Sequence, residues 1–594
     1  MSSGGLWLPA EAVPEQLPPA LRFTLLTAGY EEVFGGSSTV DAILDRLKRS
    51  STDALFSILG RIAAAVGAQP NPAQRWATQV HIAERVFGQR AALIWRRLRE
   101  SRGQDLDQDR AVLFHERQVL NLFKLALLAL PISSGSADLE SLGEALLMVN
   151  DLLDRGLDET RGDPDHTSEL EMYIFANIVF NQHPDAVHEL IRSYELYIDP
   201  RPELLALPNA VNVPEWIRRA TGLEAKVLWR VLYVLFGYWF SLDLKAISDG
   251  AHVLDLGWFA SMSKVSRAES EAFFRAVGRP VEELQAAVRR AYSLEDPRFF
   301  DVVEFAKTPL VFFGNTVHCT SVTLLRAAAG PNVQYRLLDD QKFSREERRR
   351  FLDFRGSLYG DYIDRLFRRA FGARFIDSAT LDRELNEVEH CDGIIDYGDE
   401  AVLIEVKATL VPLAVSTGED AAAYSTFMAG AIPRAASQIH ETIQAIEGGR
   451  AKALGLEAGR FRRYYPVVVT MHLPSNPLTY RERIERGLAT HALNQARSDV
   501  LVAPLQLIDV HEAELVETAV AAGASFRDLL RAKVDNPDTA HLALNNFYGL
   551  HNETETGKHN PYLAERYHEL TQEALDYFRA LGLPSGRSGA TNAT

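Results

Sequence analysis

His390-Cys391-Asp392-Gly393-Ile394-Ile395-Asp396-Tyr397-Gly398-Asp399-Glu400-Ala401-Val402-Leu403-Ile404-Glu405-Val406-Lys407 is the stretch on which the reading of this chain turns. The run Ala401 to Thr409 is apolar and rich in β-branched residues, and Tyr-Gly-Asp-Glu before it is a turn signal, so it predicts a strand. Side chains alternate along a strand, which places Leu403, Glu405 and Lys407 on one face and Val402, Ile404 and Val406 on the other. A carboxylate and an ammonium emerging together from an otherwise buried strand are costly unless the two charges are used.

The segment Val388 to Asp396 also reads as a strand, and the four residues between the two runs close an antiparallel hairpin. That hairpin returns Asp392 to the side of Glu405. Two carboxylates on adjacent strands suit Mg²⁺ or Mn²⁺, which take oxygen ligands and keep coordination sites for water and phosphate. Such an ion polarises a phosphodiester and acidifies a bound water, and Lys407 is placed to orient that water or to offset developing charge. A second Glu-x-Lys, Glu224-Ala225-Lys226, lies in a helical, Trp-rich stretch with no partner aspartate on a strand and reads as surface.

The pattern Asp392-x12-Glu405-x-Lys407 resembles the PD-(D/E)xK nuclease superfamily, whose fold is restriction-endonuclease-like. Gly356-Ser-Leu-Tyr359-Gly360-Asp361-Tyr362-Ile363 looks like the opening of that family's first core helix. Ala435-Ala436-Ser437-Gln438-Ile439 looks like the opening of the helix on which many members carry a supporting Gln. Phe461 to Met471 and Leu505 to Val510 are similar to the later core strands, so the likeness covers roughly residues 345–520. It implies Asp392, Glu405, Lys407 and Gln438 as catalytic residues, with Asp392, Glu405 and the backbone carbonyl of Val406 as metal ligands. The family's first helix carries a metal-binding Glu where this chain has Gly360. Asp364, one turn on and on the same helix face, is the better substitute, with a surface ion pair to Arg365 or Arg368 as an equal alternative, and Asp361 points about 100° away.

A net charge of −17 sits awkwardly with a nucleic-acid partner, but its distribution is uneven. Between Gln341 and Phe375 ten basic residues face five acids, so a local basic patch leads into the hairpin. Arg348, Arg349, Arg350, Arg355, Arg368 and Arg369 are its candidate phosphate contacts, with Arg460, Arg462, Arg463, Arg481, Arg483 and Arg486 as a second wall. For each of these arginines, a solvated helix face paired with nearby Glu is an equal alternative.

The chain reads as multidomain: a large, mainly α-helical N-terminal region followed by an α/β restriction-endonuclease-like domain with a mixed central sheet. Helical periodicity runs through Val40–Leu47, Ala73–Phe87, Leu120–Leu128, Leu139–Leu153, Leu170–Phe180 and Val227–Phe240, with capping boxes at Ser266-x-x-Glu269 and Ser344-x-x-Glu347. These signals divide the chain into a helical region at 1–296, a segment at 297–344 with a Gly314-Asn315 hairpin, the nuclease-like domain at 345–520, and a helical extension at 521–594. A polar loop (His551 to Asn560) and a Ser-Gly-Thr tail from Ser585 lie within that extension.

Cys319 and Cys391 give neither a disulfide framework nor a zinc cluster and suit a reducing cytoplasm. The first residues show no basic n-region followed by an apolar h-region. Val231 to Leu242 is about half the length that spans a bilayer, so no membrane partner is expected. The acidic run Asp151, Asp154, Asp158, Asp163, Asp165 and Glu169 does not follow an EF-hand order, and Gly557-Lys558 lacks the rest of a P-loop.

The expectation is a cytoplasmic, prokaryotic, Mg²⁺- or Mn²⁺-dependent nuclease acting on nucleic acid, DNA favoured over RNA. Its setting would be defence against foreign DNA or DNA processing, with the helical region as sensor, protein-partner dock or restraint. The alternative is a catalytically degenerate nuclease fold that serves as a nucleic-acid-binding or scaffold protein.

Overall fold

The computed structural model describes residues 7–9, 25–67, 72–102, 111–158, 172, 186–262, 264–330, 332–339, 342–385, 388–409, 411–412, 415, 421–471, 501–540, 542–551 and 560–581. The predicted helix Leu170–Phe180 apart from Met172, the acidic residues Asp163, Asp165 and Glu169, Arg481, Arg483, Arg486, Gly557-Lys558, most of the loop after His551 and the tail from Ser585 lie outside these residues.

Among the described residues, three sheets are interleaved with helices. In the first, β1 (Trp7–Pro9), β2 (Leu25–Thr27) and β3 (Ala111–Val112) pair in parallel. The second contains β4 (Val253–Asp255), β5 (Gly278–Pro280), β6 (Leu310–Phe313) and β7 (Thr316–Cys319) in the order β4-β7-β6-β5. The β6–β7 hairpin turns at Gly314, whose φ of +56° suits a residue without a Cβ. β4 and β5 precede residue 297 and pair with β7 and β6, which follow it, so the expected hairpin is joined to strands of the helical region. The missed signal is non-local: strands of three residues carry too little alternation to be read singly.

The third sheet holds the hairpin. It contains β8 (Phe375–Asp377), β9 (Gly393–Asp396), β10 (Glu400–Lys407), β11 (Arg463–Thr470), β12 (Leu501–Val502) and β13 (Gln506–Asp509). The order is β12-β11-β10-β9-β8, with β13 also on β11. β9 pairs antiparallel with both β8 and β10, whereas β11 pairs in parallel with β10, β12 and β13, so the sheet is mixed. β11 is buried along almost its whole length, as a central parallel strand must be. Its Pro466 is tolerated for a topological reason. Ala503 N–H donates to the Tyr464 carbonyl, so Pro466, two residues on, faces the same edge, at the gap where pairing passes from β12 to β13.

Two helices sandwich this sheet. α1 (Arg345–Phe371) opens on the Ser344 capping box, and α2 (Ala421–Glu447) runs through Pro433. Both helices are longer than the sequence indicated: Gly356 and Ala435 lie inside them and open neither. Ile395, Val402 and Ile404 join the cluster containing Tyr359, Tyr362 and Ile363 of α1. Ile394, Ala401 and Leu403 join Ala435, Ala436 and Ile439 of α2 on the other face. β10 therefore alternates as predicted, and Glu405 and Lys407 belong to the α2 face.

The sheet is not isolated from the helices before it. One apolar cluster extends from Ala28 through α1 to Phe578. Arg192 and Glu514, both buried, pair at 2.5 Å across that junction. Pro561–Ala580 forms a C-terminal helix that packs back onto the N-terminal region, where Phe578 stacks on Phe259 with centroids 5.8 Å apart. Among the described residues, no helix is long and apolar enough to cross a membrane.

Candidate active site

β9 begins at Gly393 and not at Val388, so Asp392 sits just before the strand. The pairing Gly393↔Ile404 carries it to the level of Glu405. The Val406 N–H donates to Asp392 Oδ2 at 2.6 Å, which fixes the carboxylate against β10. The Val406 side chain packs on the α1 face, leaving its backbone between Glu405 and Lys407.

Glu405 is 1% exposed. Its Oε1 accepts from Lys407 Nζ at 2.5 Å, and its Oε2 is buried without a hydrogen-bond partner among the described residues. Burial, reinforced by the neighbouring Asp392 carboxylate, pushes Glu405 up to about 8, although Lys407 pulls the other way. Burial also raises Asp392, opposed by the Val406 amide and by Lys407. Lys407 Nζ donates to Gln438 Oε1 at 2.5 Å, so Gln438 on α2 holds the ammonium beside the carboxylate.

Sequence reading missed Thr442. Its hydroxyl accepts from the Cys391 N–H at 2.7 Å and donates to the Gln438 carbonyl at 2.9 Å. One turn of α2 thus holds both halves of the site: Gln438 positions Lys407, and Thr442 positions the residue before Asp392. The signal was present in the i, i+4 spacing on one helix face. His390 was also overlooked. Its Nε2 lies 3.3 Å from Asp382 Oδ1, and its ring stands beside Asp392.

The two helix-borne carboxylates are placed differently. Asp361 Oδ1 accepts from Arg201 at 2.7 Å and Oδ2 from Arg365 at 2.9 Å. Asp364 Oδ2 accepts from Arg368 at 2.7 Å, and Arg368 also reaches Asp377 on β8 at 2.7 Å. Burial raises Asp364, against the pull of Arg368. Both acids ride on α1, which covers the face opposite Glu405, and among the described residues no group of three or more metal-ligating side chains forms. Among the described residues neither acid joins Asp392 and Glu405 in a group of three, although Asp364 Oδ1 is buried without a hydrogen-bond partner.

The arginine patch is largely engaged in structure. Arg355 is 3% exposed and donates to Gln334 at 2.8 Å, so it is withdrawn from the candidate phosphate contacts. Arg369 holds Glu517 at 2.6 Å and lies over the Tyr562 ring. Arg348 and Arg350 donate to the carbonyls of Leu338 and Ala210. Arg349 is exposed and has no ion pair among the described residues. In the second wall, Arg460 pairs with Asp396 and Arg463 with Asp535. Lys226 of the other Glu-x-Lys pairs with Asp199 at 3.0 Å, an ordinary surface contact.

The donor set suits a hard divalent cation. Two carboxylates converge, one of their oxygens is buried and unpartnered, and a divalent ion would relieve both their repulsion and that orphan oxygen. Comparison with family models, curated proteins and solved structures finds no match.

Proposed function

We propose that the protein is a Mg²⁺- or Mn²⁺-dependent nuclease that hydrolyses phosphodiester bonds in nucleic acid, DNA in preference to RNA. The observation that supports this best is Glu405: buried, beside a second carboxylate, with one oxygen on Lys407 and the other unpartnered. Asp392 and Glu405 would hold the ion, joined by the Val406 carbonyl. When bound, it supplies Lewis-acid polarisation of the phosphoryl oxygen and a more acidic water. Lys407 orients the attacking water and offsets charge that develops on the phosphoryl oxygens. Gln438 keeps the Lys407 ammonium from swinging away, and Thr442 keeps Asp392 in register with β10.

Defence against foreign DNA or DNA processing is the setting that the sequence resemblance implies, with the N-terminal region as sensor, protein-partner dock or restraint. A second reading, a degenerate nuclease fold that binds nucleic acid without cutting it, is favoured by one observation: among the described residues no third side chain joins Asp392 and Glu405 in a group that could hold a metal ion. Nicking of supercoiled plasmid by the full chain separates the two. Nicking that needs Mg²⁺ or Mn²⁺ and stops in excess EDTA supports the enzyme, and binding without nicking supports the scaffold.

A further inference from the structure

At the end of the β9–β10 hairpin remote from Asp392, roughly 17 Å along the strand from Glu405, lies an open cavity of about 450 Å³. Arg374, Arg460 and Arg527 line it, against Asp396 and Asp528, with Tyr397 between them. The guanidiniums of Arg374 and Arg527 stand over the Tyr397 ring, 5.7 and 5.2 Å from its centroid. Arg460 is held by Asp396 at 2.7 Å, and Arg527 by Asp528 at 2.9 Å. Glu400 is 3.8 Å from Arg527 but is itself held by Arg531 at 2.5 Å. Arg374 differs from the other two. It is exposed, its contact is the neutral ring of Tyr397, and it has neither a hydrogen bond nor an ion pair among the described residues.

The lining therefore carries one guanidinium more than its carboxylates neutralise, in a concave site. The helix Phe526–Val534, capped by Ser525, adds a positive end, since Ser525 also lines the cavity. A lone carboxylate engages one guanidinium fork, whereas a phosphoryl group presents oxygens in several directions and can meet forks from separate strands and helices. We propose that this cavity binds a phosphoryl group, carried by a small molecule such as inorganic phosphate or a mononucleotide, or by a nucleic-acid chain. The site stands independently of the nuclease reading, because it shares no residue with the Asp392–Glu405 pair.

Calorimetric titration of the full chain with inorganic phosphate, at constant ionic strength in chloride, tests this. Saturable binding is expected, weakened at least about tenfold in Arg374→Gln by loss of charge-assisted hydrogen bonds, with Arg374→Lys intermediate. Arg96→Gln, at an exposed surface pair, should bind like wild type. Arg374 is exposed and removable without a cavity, so its variants report on the ligand and not on folding. Absence of phosphate binding, or equal binding by wild type and Arg374→Gln, overturns the proposal. Where binding occurs, displacement by a mononucleotide alone assigns the phosphoryl group to a small molecule, and displacement by an oligonucleotide assigns it to a nucleic-acid chain.

Discussion

The Val406 amide donates to the Asp392 carboxylate across 2.6 Å, so the strand that carries Glu405 and Lys407 also fixes the acid of its neighbour. A backbone amide fixes the Asp392 carboxylate, and the Lys407 ammonium, itself held by Gln438, fixes that of Glu405. Positioning of this kind is what electrostatic catalysis requires, because nothing has to reorganise as charge develops.

The first prediction concerns pH. Glu405 titrates near 8 in the folded protein and near 4.5 when unfolded, so between those values the folded state holds the extra proton. Its stabilising contribution is present in full below about pH 4.5 and is lost as pH rises through 8. Metal-free protein should lose stability over that interval, and Glu405→Gln should flatten the loss. Urea titrations at pH 6 and pH 8.5 measure it. Parallel pH dependence in wild type and variant would contradict the burial argument.

Metal binding should follow the same proton. A ligating carboxylate must be ionised, so Mn²⁺ should bind more tightly at pH 8 than at pH 6 and release protons at the lower pH. Titration calorimetry in buffers of different ionisation enthalpy counts those protons. Asp392→Asn and Glu405→Gln should each abolish binding in the micromolar range.

Thr442 should act by positioning. Thr442→Val removes the hydroxyl that ties Cys391 to α2 with little change in volume, leaving the Cys391 amide unpartnered. Cleavage should fall about 10- to 100-fold, with part of the loss recovered in Thr442→Ser. A purely structural role would lower the melting temperature and leave turnover of the folded fraction unchanged.

Asp361→Asn and Asp364→Asn should both retain cleavage within a few-fold of wild type, because their carboxylates are engaged by arginines on the α1 side of the sheet. A large rise in the metal concentration required by Asp364→Asn would return this residue to the ligand set.

The junction between the helical region and the sheet should be structural. Arg192→Met removes the guanidinium from the fully buried Glu514 carboxylate, leaving it the Tyr362 hydroxyl and the His188 and His511 rings, and should cost about 3–5 kcal/mol in urea unfolding. The double variant Arg192→Met, Glu514→Met should recover much of that loss. A fragment beginning at residue 341 loses Arg192 and a large part of the shared apolar cluster, and should be insoluble.

Much of this site is legible in sequence because it is local. Alternation along Ala401–Lys407, the turn at Gly398 and the spacing of Asp392 bring both carboxylates together without any long-range information. Helix limits were less legible. Gly356 and Gly360 resemble breakers, yet α1 runs through both, because the Phe, Tyr and Leu residues around them bury on one face and tertiary packing outweighs propensity. The arginines illustrate a different limit. Sequence gives their charge but not their partners, so Arg355 on Gln334 and Arg369 on Glu517 looked the same as Arg349, which faces solvent.

Cleavage of labelled DNA and RNA by the purified chain and by its Glu405→Gln variant, with Mn²⁺ present and then chelated, tests the central claim most directly. Wild type should cut, DNA faster than RNA, and only with the ion, while the folded Glu405→Gln variant should be slower by several orders of magnitude. Equal cutting by the variant, or full activity in excess EDTA, would contradict the assignment of Asp392, Glu405 and Lys407 as the catalytic centre.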